Sequence, residues 1–149
     1  MTSFRLRRAI PGDAEAIAHL LRDTMTKALP FLPVLHTADE DHAFIAGHVL
    51  PACTVWVVEM DRIVGFIACR DDWIEHLYVD VDCHGRGIGS ALLGKVLEAG
   101  PRWQLWAFQK NEQGLRFYKR KGFRVVERTD GSGNEEKEPD ARLLWLRKT

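Results

Sequence analysis

Residues 82 to 90 read Asp82-Cys83-His84-Gly85-Arg86-Gly87-Ile88-Gly89-Ser90, with glycine at every second position of the middle stretch. Before them, Trp73 to Val81 interleaves polar residues with Ile74, Leu77, Tyr78 and Val79, the pattern of a strand. After them, Leu92, Leu93, Val96 and Leu97 recur at helical spacing, so Ala91 to Glu98 reads as an amphipathic helix stopped by Gly100-Pro101. A strand, a glycine loop and a helix in that order narrow the options. Alternating glycines let the backbone approach a partner closely and present several N–H groups at a helix N-terminus. Those groups and the helix dipole hold an anion, typically a pyrophosphate. A plain tight turn is the alternative reading.

Two other phosphate motifs fail. A dinucleotide fold requires GxGxxG, but Ser90 and Leu92 stand at the closing positions, and Leu105 sits where an acid belongs. A nucleotide P-loop requires GxxxxGK followed by Ser or Thr. Gly89 to Lys95 spells GSALLGK, but Val96 follows, and Ala91, Leu92 and Leu93 belong to the helix's buried face.

The rest of the chain supplies a frame. Phe4 to Arg8 reads as a strand, Pro11-Gly12-Asp13 as a break with Asp13 capping a helix to Met25, and Ala28 to Thr37 as an apolar loop interrupted by Pro30 and Pro33. A second helix fits Ala38 to Leu50, stopped by Pro51. Thr54 to Glu59 and Ile63 to Arg70 form a hairpin about Met60-Asp61-Arg62, and Asp71-Asp72 turns the chain into the strand at Trp73. Beyond the glycine loop come a strand (Trp103 to Phe108), a helix from Asn111 through Lys121, a strand (Phe123 to Arg128), a charged loop (Asp130 to Asp140) and a last strand (Leu143 to Leu146). Trp103, Trp106 and Trp145 read as core. The order β-α-α-β-β-β-α-β-α-β-β predicts an α/β fold, a mixed sheet of six to seven strands with helices on both faces, in one domain spanning 1–149.

Composition narrows the function. Lys+Arg and Asp+Glu are both 21 in 149 residues, and this balance argues against a dedicated nucleic-acid binder. The apolar stretches fall far short of the ~20 residues that span a bilayer, and residues 1–8 carry no signal-peptide core, so no membrane partner is expected. Cys53, Cys69 and Cys83 have no CxxC spacing, and no HExxH occurs. A disulfide framework and a metal site are not expected, and a cytoplasmic location is. No His or Asp pairing marks Cys83 as a nucleophile.

With the loop placed, the chain resembles the GNAT superfamily of N-acetyltransferases over essentially its full length. The family pattern Gln/Arg-x-x-Gly-x-Gly/Ala appears as His84-Gly85-Arg86-Gly87-Ile88-Gly89, with histidine in place of Gln or Arg. Leu77-Tyr78-Val79-Asp80 resembles the strand that pairs with pantetheine through its backbone. Asn111 to Phe123 (NEQGLRFYKRKGF) resembles the Asn…Phe-Tyr-x-x-x-Gly-Phe segment.

The resemblance implies the GNAT fold, acetyl-CoA as donor in a V-shaped gap between the fourth and fifth strands, and direct transfer to an amine. It implies donor contacts from Leu77, Tyr78, Val79, His84, Gly85, Arg86, Gly87, Ile88, Gly89 and Ser90. It implies Tyr118 as the general acid, aimed at the thioester sulfur, and backbone N–H groups near Leu77 as the oxyanion site. Tyr118 lies seven positions after Asn111, on the same helix face. Asn111 reads as a contact to the pantetheine arm, as a helix N-cap, or as both.

For the general base, Asp71, Asp72 and Glu75 all stand near the start of the strand. Glu75 is the first choice, since strand alternation puts it with Leu77 and Val79, and a carboxylate beside Trp73 and Tyr78 would have a raised pKa. His36 is the second. His76 and His42 read as structural. The loop 130–140, with Asp130, Glu135, Glu136, Glu138 and Asp140, reads as an acidic rim that steers a cationic amine, or as a solvated hairpin tip. Arg116, Lys119, Arg120, Lys121 and Arg124 read as a solvated helix face or a contact to CoA phosphate. The expected acceptor is a primary amine of a small molecule or peptide. A protein or aminoacyl-tRNA acceptor, and an acyl-CoA sensor without turnover, are the alternatives. Oligomeric state stays open, a homodimer included.

Overall fold

A computed structural model describes residues 3–148. Its strands form one seven-stranded sheet in the order β1-β2-β3-β4-β5-β7-β6. The strands are β1 (Arg5–Arg8), β2 (Thr54–Glu59), β3 (Ile63–Arg70), β4 (Trp73–Val79), β5 (Arg102–Phe108), β6 (Arg124–Arg128) and β7 (Asp140–Leu146). All neighbouring pairs are antiparallel except β4 with β5. The helices are α1 (Ala14–Ala28), α2 (Ala38–Phe44), α3 (Leu50–Ala52), α4 (Ile88–Leu97) and α5 (Glu112–Arg120). A π-helical stretch, Ile45–Val49, joins α2 to α3 without a break. None of these helices is long and apolar enough to cross a membrane.

The most buried strand is β3, whose residues are all buried except Arg70. A run as apolar as Ile63 to Cys69 suits a strand covered on both faces. On one face, Ile17, Leu20 and Leu21 of α1 and Ile45 pack on Val57 and Phe66. On the other, Ile88, Leu92, Leu93 and Val96 of α4 pack on Val58, Val64 and Ile67. Gly65 sets the spacing of this second layer. A Cβ there would lie 3.0 Å from Ile88 Cγ2 and 3.1 Å from Leu92 Cδ1, so a side chain would require these two to give way.

Several sequence expectations shift. The strand begun at Trp73 ends at Val79, because Asp80 turns the chain. Its carboxylate accepts from the Asp82 N–H (2.9 Å) and from Arg62 Nη1 (2.8 Å), and a 3₁₀ turn, Val81–Cys83, follows. The helix after the glycine loop starts at Ile88 and not at Ala91. Asp13 does not cap α1 with its side chain. Its buried carboxylate accepts from the Ile10 N–H (2.8 Å) and from Arg7 Nη1 and Nη2 (2.8 and 3.0 Å), which holds its pKa below the usual carboxylate range. Of the three tryptophans read as core, Trp103 is buried and Trp145 half-buried, but Trp106 is 44% exposed. It stands on the sheet face opposite Leu105 and Ala107, which belong to the α4 layer.

Candidate active site

The two parallel strands meet only at their start. Trp73 is in register with Gln104, and the Gln104 N–H donates to the Asp72 carbonyl at 2.9 Å; no further pairing joins β4 to β5. The consequence for β4 follows from ladder geometry. The Asp80 N–H donates to the Val64 carbonyl at 2.8 Å, so Asp80 directs its backbone groups at β3. In an antiparallel pair this direction alternates along the strand. Tyr78 therefore also faces β3, and Leu77 and Val79 turn their N–H and C=O groups toward β5, where no strand answers them.

A cavity of about 330 Å³ occupies this opening. Leu77, Tyr78 and Val79 form one wall, Asn111 and Tyr118 another, and His84, Gly85, Gly87, Ile88, Gly89 and Ser90 its floor. No Asp or Glu is among the residues that line it. Gly85 and Gly87 adopt φ of 82° and 81°, in the left-handed region that favours glycine, and a Cβ at either would meet no atom within 4 Å. The loop is thus a concave backbone surface at the N-terminus of α4. Its open N–H groups and the helix dipole suit a pyrophosphate. The Leu77 and Val79 ladder groups suit the amides of an extended pantetheine arm. On both counts the residues present fit acetyl-CoA.

Tyr118 projects from α5 into the cavity, with Phe117 and Phe123 edge-on at 5.3 and 5.5 Å between ring centroids. Burial raises its pKa, and the neighbouring Tyr78 adds to the rise, so the hydroxyl keeps its proton throughout the neutral range. Tyr78 is pushed up to about 12 by burial. Asn111 caps α5, its Oδ1 accepting from the Gly114 N–H at 3.1 Å. A Cβ on Gly114 would lie 2.5 Å from Asn111 Nδ2, so glycine permits this cap. The cap leaves Asn111 on the cavity wall.

Other expected residues are not brought together. Glu75 does not share a face with Leu77 and Val79. The β3–β4 register runs Ala68↔His76 and then Cys69↔Ile74, so Glu75 is the extra residue of a β-bulge and the alternation breaks there. Its side chain is exposed outside the cavity and lies 3.5 Å from Arg70 Nη2. Asp71 is an exposed turn residue, and Asp72 accepts from Arg102 and Gln104 at the closed end of the strand pair. His36 contacts Glu135 across two loops. Arg86 lines a separate groove with Arg5, Arg62 and Asp82, so only the backbone at position 86 belongs to the glycine loop. His76 is neutral at pH 7, since burial against Phe66 and Phe44 drives its pKa down to about 4. In the acidic loop, Asp130 accepts from the Ser132 N–H, Asp140 from Thr129 and Asn134, and Glu138 pairs with Lys110. With Glu135 on His36, four of the loop's five acids thus have protein partners.

Thr24 and Ala28 of α1 and Leu29 at its C-cap also line the cavity, as do Gln113, Phe117 and Arg120 of α5. Gln113, Phe117 and Arg120 share one helical stripe at i, i+4 and i+7, which was the signal for α5. Thr24, a polar residue on the buried stripe of Ile17, Leu20 and Leu21, was the signal for α1.

The position of Glu75 gives a direct expectation. Glu75→Gln leaves kcat within about two-fold at every pH where wild type turns over. A drop of about ten-fold or more, with the low-pH limb of the profile lost, would return Glu75 to the chemistry.

Residues 51–125 match the acetyltransferase (GNAT) domain family. The peptidyl-lysine N-acetyltransferase YjaB of Salmonella typhimurium is 27% identical over 127 residues, 84% of this chain and 86% of that protein. The solution structure of apo-form YjaB from Escherichia coli superposes with a TM-score of 0.80 at 23% identity, covering 99% of this chain and 100% of that one. The PaiA N-acetyltransferase of Thermoplasma acidophilum, crystallised with coenzyme A, gives a TM-score of 0.75 at 18% identity over 97% and 99% of the two chains.

Proposed function

The chain belongs to the GNAT family of acetyltransferases, and from this we propose that it is a single-domain, cytoplasmic N-acetyltransferase that uses acetyl-CoA to acetylate a primary amine directly. The first acceptor class to consider is the lysine side chain of a peptide, given the named activity of the YjaB relatives. A small-molecule amine is the second.

One observation carries the reading. The backbone groups of Leu77 and Val79 that have no strand partner and the open glycine loop border the same cavity as the Tyr118 hydroxyl. Acetyl-CoA, when bound, supplies an activated thioester carbonyl. The glycine loop and the first turn of α4 receive its pyrophosphate, and β4 receives its pantetheine arm as an added strand. The Leu77 N–H points into the gap and donates to the carbonyl oxygen as negative charge develops there. Tyr118 donates its retained proton to the sulfur as the carbon–sulfur bond breaks. Thr24, Ala28 and Leu29 border the cavity from the α1 side, where the acceptor approaches. Its ammonium proton leaves to solvent on that side, since no carboxylate lines the cavity.

The test is thiol release from acetyl-CoA by the purified protein, across lysine peptides, N-terminal peptides, polyamines, aminoglycosides and free amino acids. Amine-dependent release, with the acetylated product seen by mass spectrometry, supports the reading. Tight CoA binding with no release across the panel would favour a sensor without turnover.

A further inference from the structure

The cavity passes through the sheet. Ile88, Phe117 and Tyr118 line it from the layer that holds α4, while Thr24, Ala28 and Leu29 line it from α1 on the opposite face. The backbone of Tyr78 belongs to β4, but its side chain turns away from those of Leu77 and Val79 toward the α1 layer, as strand alternation requires. There the ring stacks on Phe66 at 5.8 Å between centroids and lies 6.3 Å from the His76 ring, which fixes its direction. Of the residues lining the α1 mouth of the cavity, only Thr24 and Tyr78 carry polar side-chain atoms.

Neither hydroxyl has a protein partner among the described residues. Thr24 is 5% exposed, and its Oγ1 is a buried oxygen without a hydrogen bond. A helical threonine can donate to the carbonyl four residues back, here that of Leu20, and Thr24 makes no such bond. A buried hydroxyl left unpaired destabilises a fold, and a valine of the same shape would not. Tyr78 is held protonated by burial, with no hydrogen bond contributing. Arg22 and Glu136, whose charges act on Tyr78, stand outside the lining.

We propose that the Thr24 and Tyr78 hydroxyls seat the acceptor nitrogen, as a subsite for a neutral primary amine; this rests on the acetyl-transfer reading above. A primary amine carries two N–H donors and one lone pair. The two hydroxyl oxygens accept the two N–H groups and leave the lone pair free for the thioester carbon, which arrives from the other face of the sheet beside Tyr118. The amine thereby gives Thr24 Oγ1 the partner that the fold does not. Both hydroxyls are uncharged and no carboxylate lines the cavity, so the seat holds the amine and not the ammonium. The acceptor gives its extra proton to water at the α1 mouth as it is seated.

The experiment is steady-state kinetics at saturating acetyl-CoA for the full chain with Thr24→Val, Thr24→Ser and Tyr78→Phe, and calorimetric binding of CoA to each. The acceptors are n-butylamine, spermidine and α-N-acetyl-lysine methylamide, all primary amines on alkyl chains. We expect Thr24→Val and Tyr78→Phe each to lower kcat/KM for the amine by about ten-fold or more, with the Kd for CoA within about two-fold of wild type. Thr24→Ser, which keeps the hydroxyl, restores most of the loss. Thr24→Val also melts about 2 °C or more above wild type, because the unpaired hydroxyl is gone, so stability and turnover move in opposite directions. Wild-type kcat/KM for the amine in Thr24→Val or in Tyr78→Phe overturns the proposal. So does a Thr24→Ser variant as slow as Thr24→Val, or a loss of CoA affinity that matches the loss in kcat/KM. A wild-type protein that binds CoA but acetylates none of these amines, nor any of the wider panel above, overturns the transfer reading itself, and this inference with it.

Discussion

Tyr118→Phe lowers kcat for amine-dependent acetyl transfer by about 100-fold or more and leaves the Kd for CoA within about two-fold. The substitution removes one oxygen and keeps the ring, so the edge contacts with Phe117 and Phe123 persist. Loss of a hydroxyl with no protein hydrogen-bond partner among the described residues does not destabilise the fold. What disappears is a proton donor at the sulfur. Without it the thiolate must leave unaided, and positioned acids of this kind typically contribute about 10²–10⁴-fold. The pH behaviour follows from the raised Tyr118 pKa. A group whose pKa lies above its ordinary value stays protonated as pH rises through neutrality, so Tyr118 gives wild type no falling limb between about pH 6 and 9. The rising limb there belongs to the acceptor, which attacks only after losing its proton. Tyr118→Phe should therefore lower the whole profile without moving its limb. An unchanged kcat would remove the acid role, and a limb displaced in the variant would mean that Tyr118 titrates in the working range.

The order of elements was legible because period and punctuation agree locally. Ile17, Leu20 and Leu21 lie on one helical stripe, the β3 run is apolar throughout, and Met60-Asp61-Arg62 closes its hairpin with a Met60 N–H to Arg62 carbonyl bond of 2.9 Å. The glycine loop was legible for the same reason. Glu75 was not. Strand alternation puts it with Leu77 and Val79, and only the register with the neighbouring strand β3, where Ala68↔His76 gives way to Cys69↔Ile74, turns it into a bulge. Trp106 was misread because its chemistry suits a core, whereas its exposure depends on which part of the sheet α1 and α2 cover. Asn111 was legible as far as the choice allowed. The structure makes it a helix cap that also faces the cavity, and those roles do not compete. His84 was recognised by its place in the loop, but its side-chain partners lie on β4 and α5, brought together only by the fold.

Gly87→Val abolishes measurable binding of acetyl-CoA, with a Kd raised by about 100-fold or more. Two effects act in the same direction. Gly87 sits at φ 81° and ψ 7° as the N-cap of α4. An L-residue in that conformation costs about 1–2 kcal/mol, and a β-branched one more, so the peptide planes rotate away from the arrangement that aims their N–H groups at the anion. The new side chain also projects into space where it meets no protein atom within 4 Å, which is the concavity offered to the pyrophosphate. The protein therefore tolerates the valine better than the ligand does, and the melting temperature falls by only a few degrees. Gly94→Ala is the matched control. Gly94 lies on the exposed side of the same helix, also with nothing within 4 Å of a Cβ. Alanine there gains up to about 1 kcal/mol of helix propensity and leaves donor binding unchanged. Calorimetry on both variants separates the explanations. If Gly87→Val binds acetyl-CoA normally, the loop is a tight turn and the donor lies elsewhere. If Gly94→Ala also loses binding, α4 itself shifts on substitution, and the loss at position 87 no longer reports on the loop.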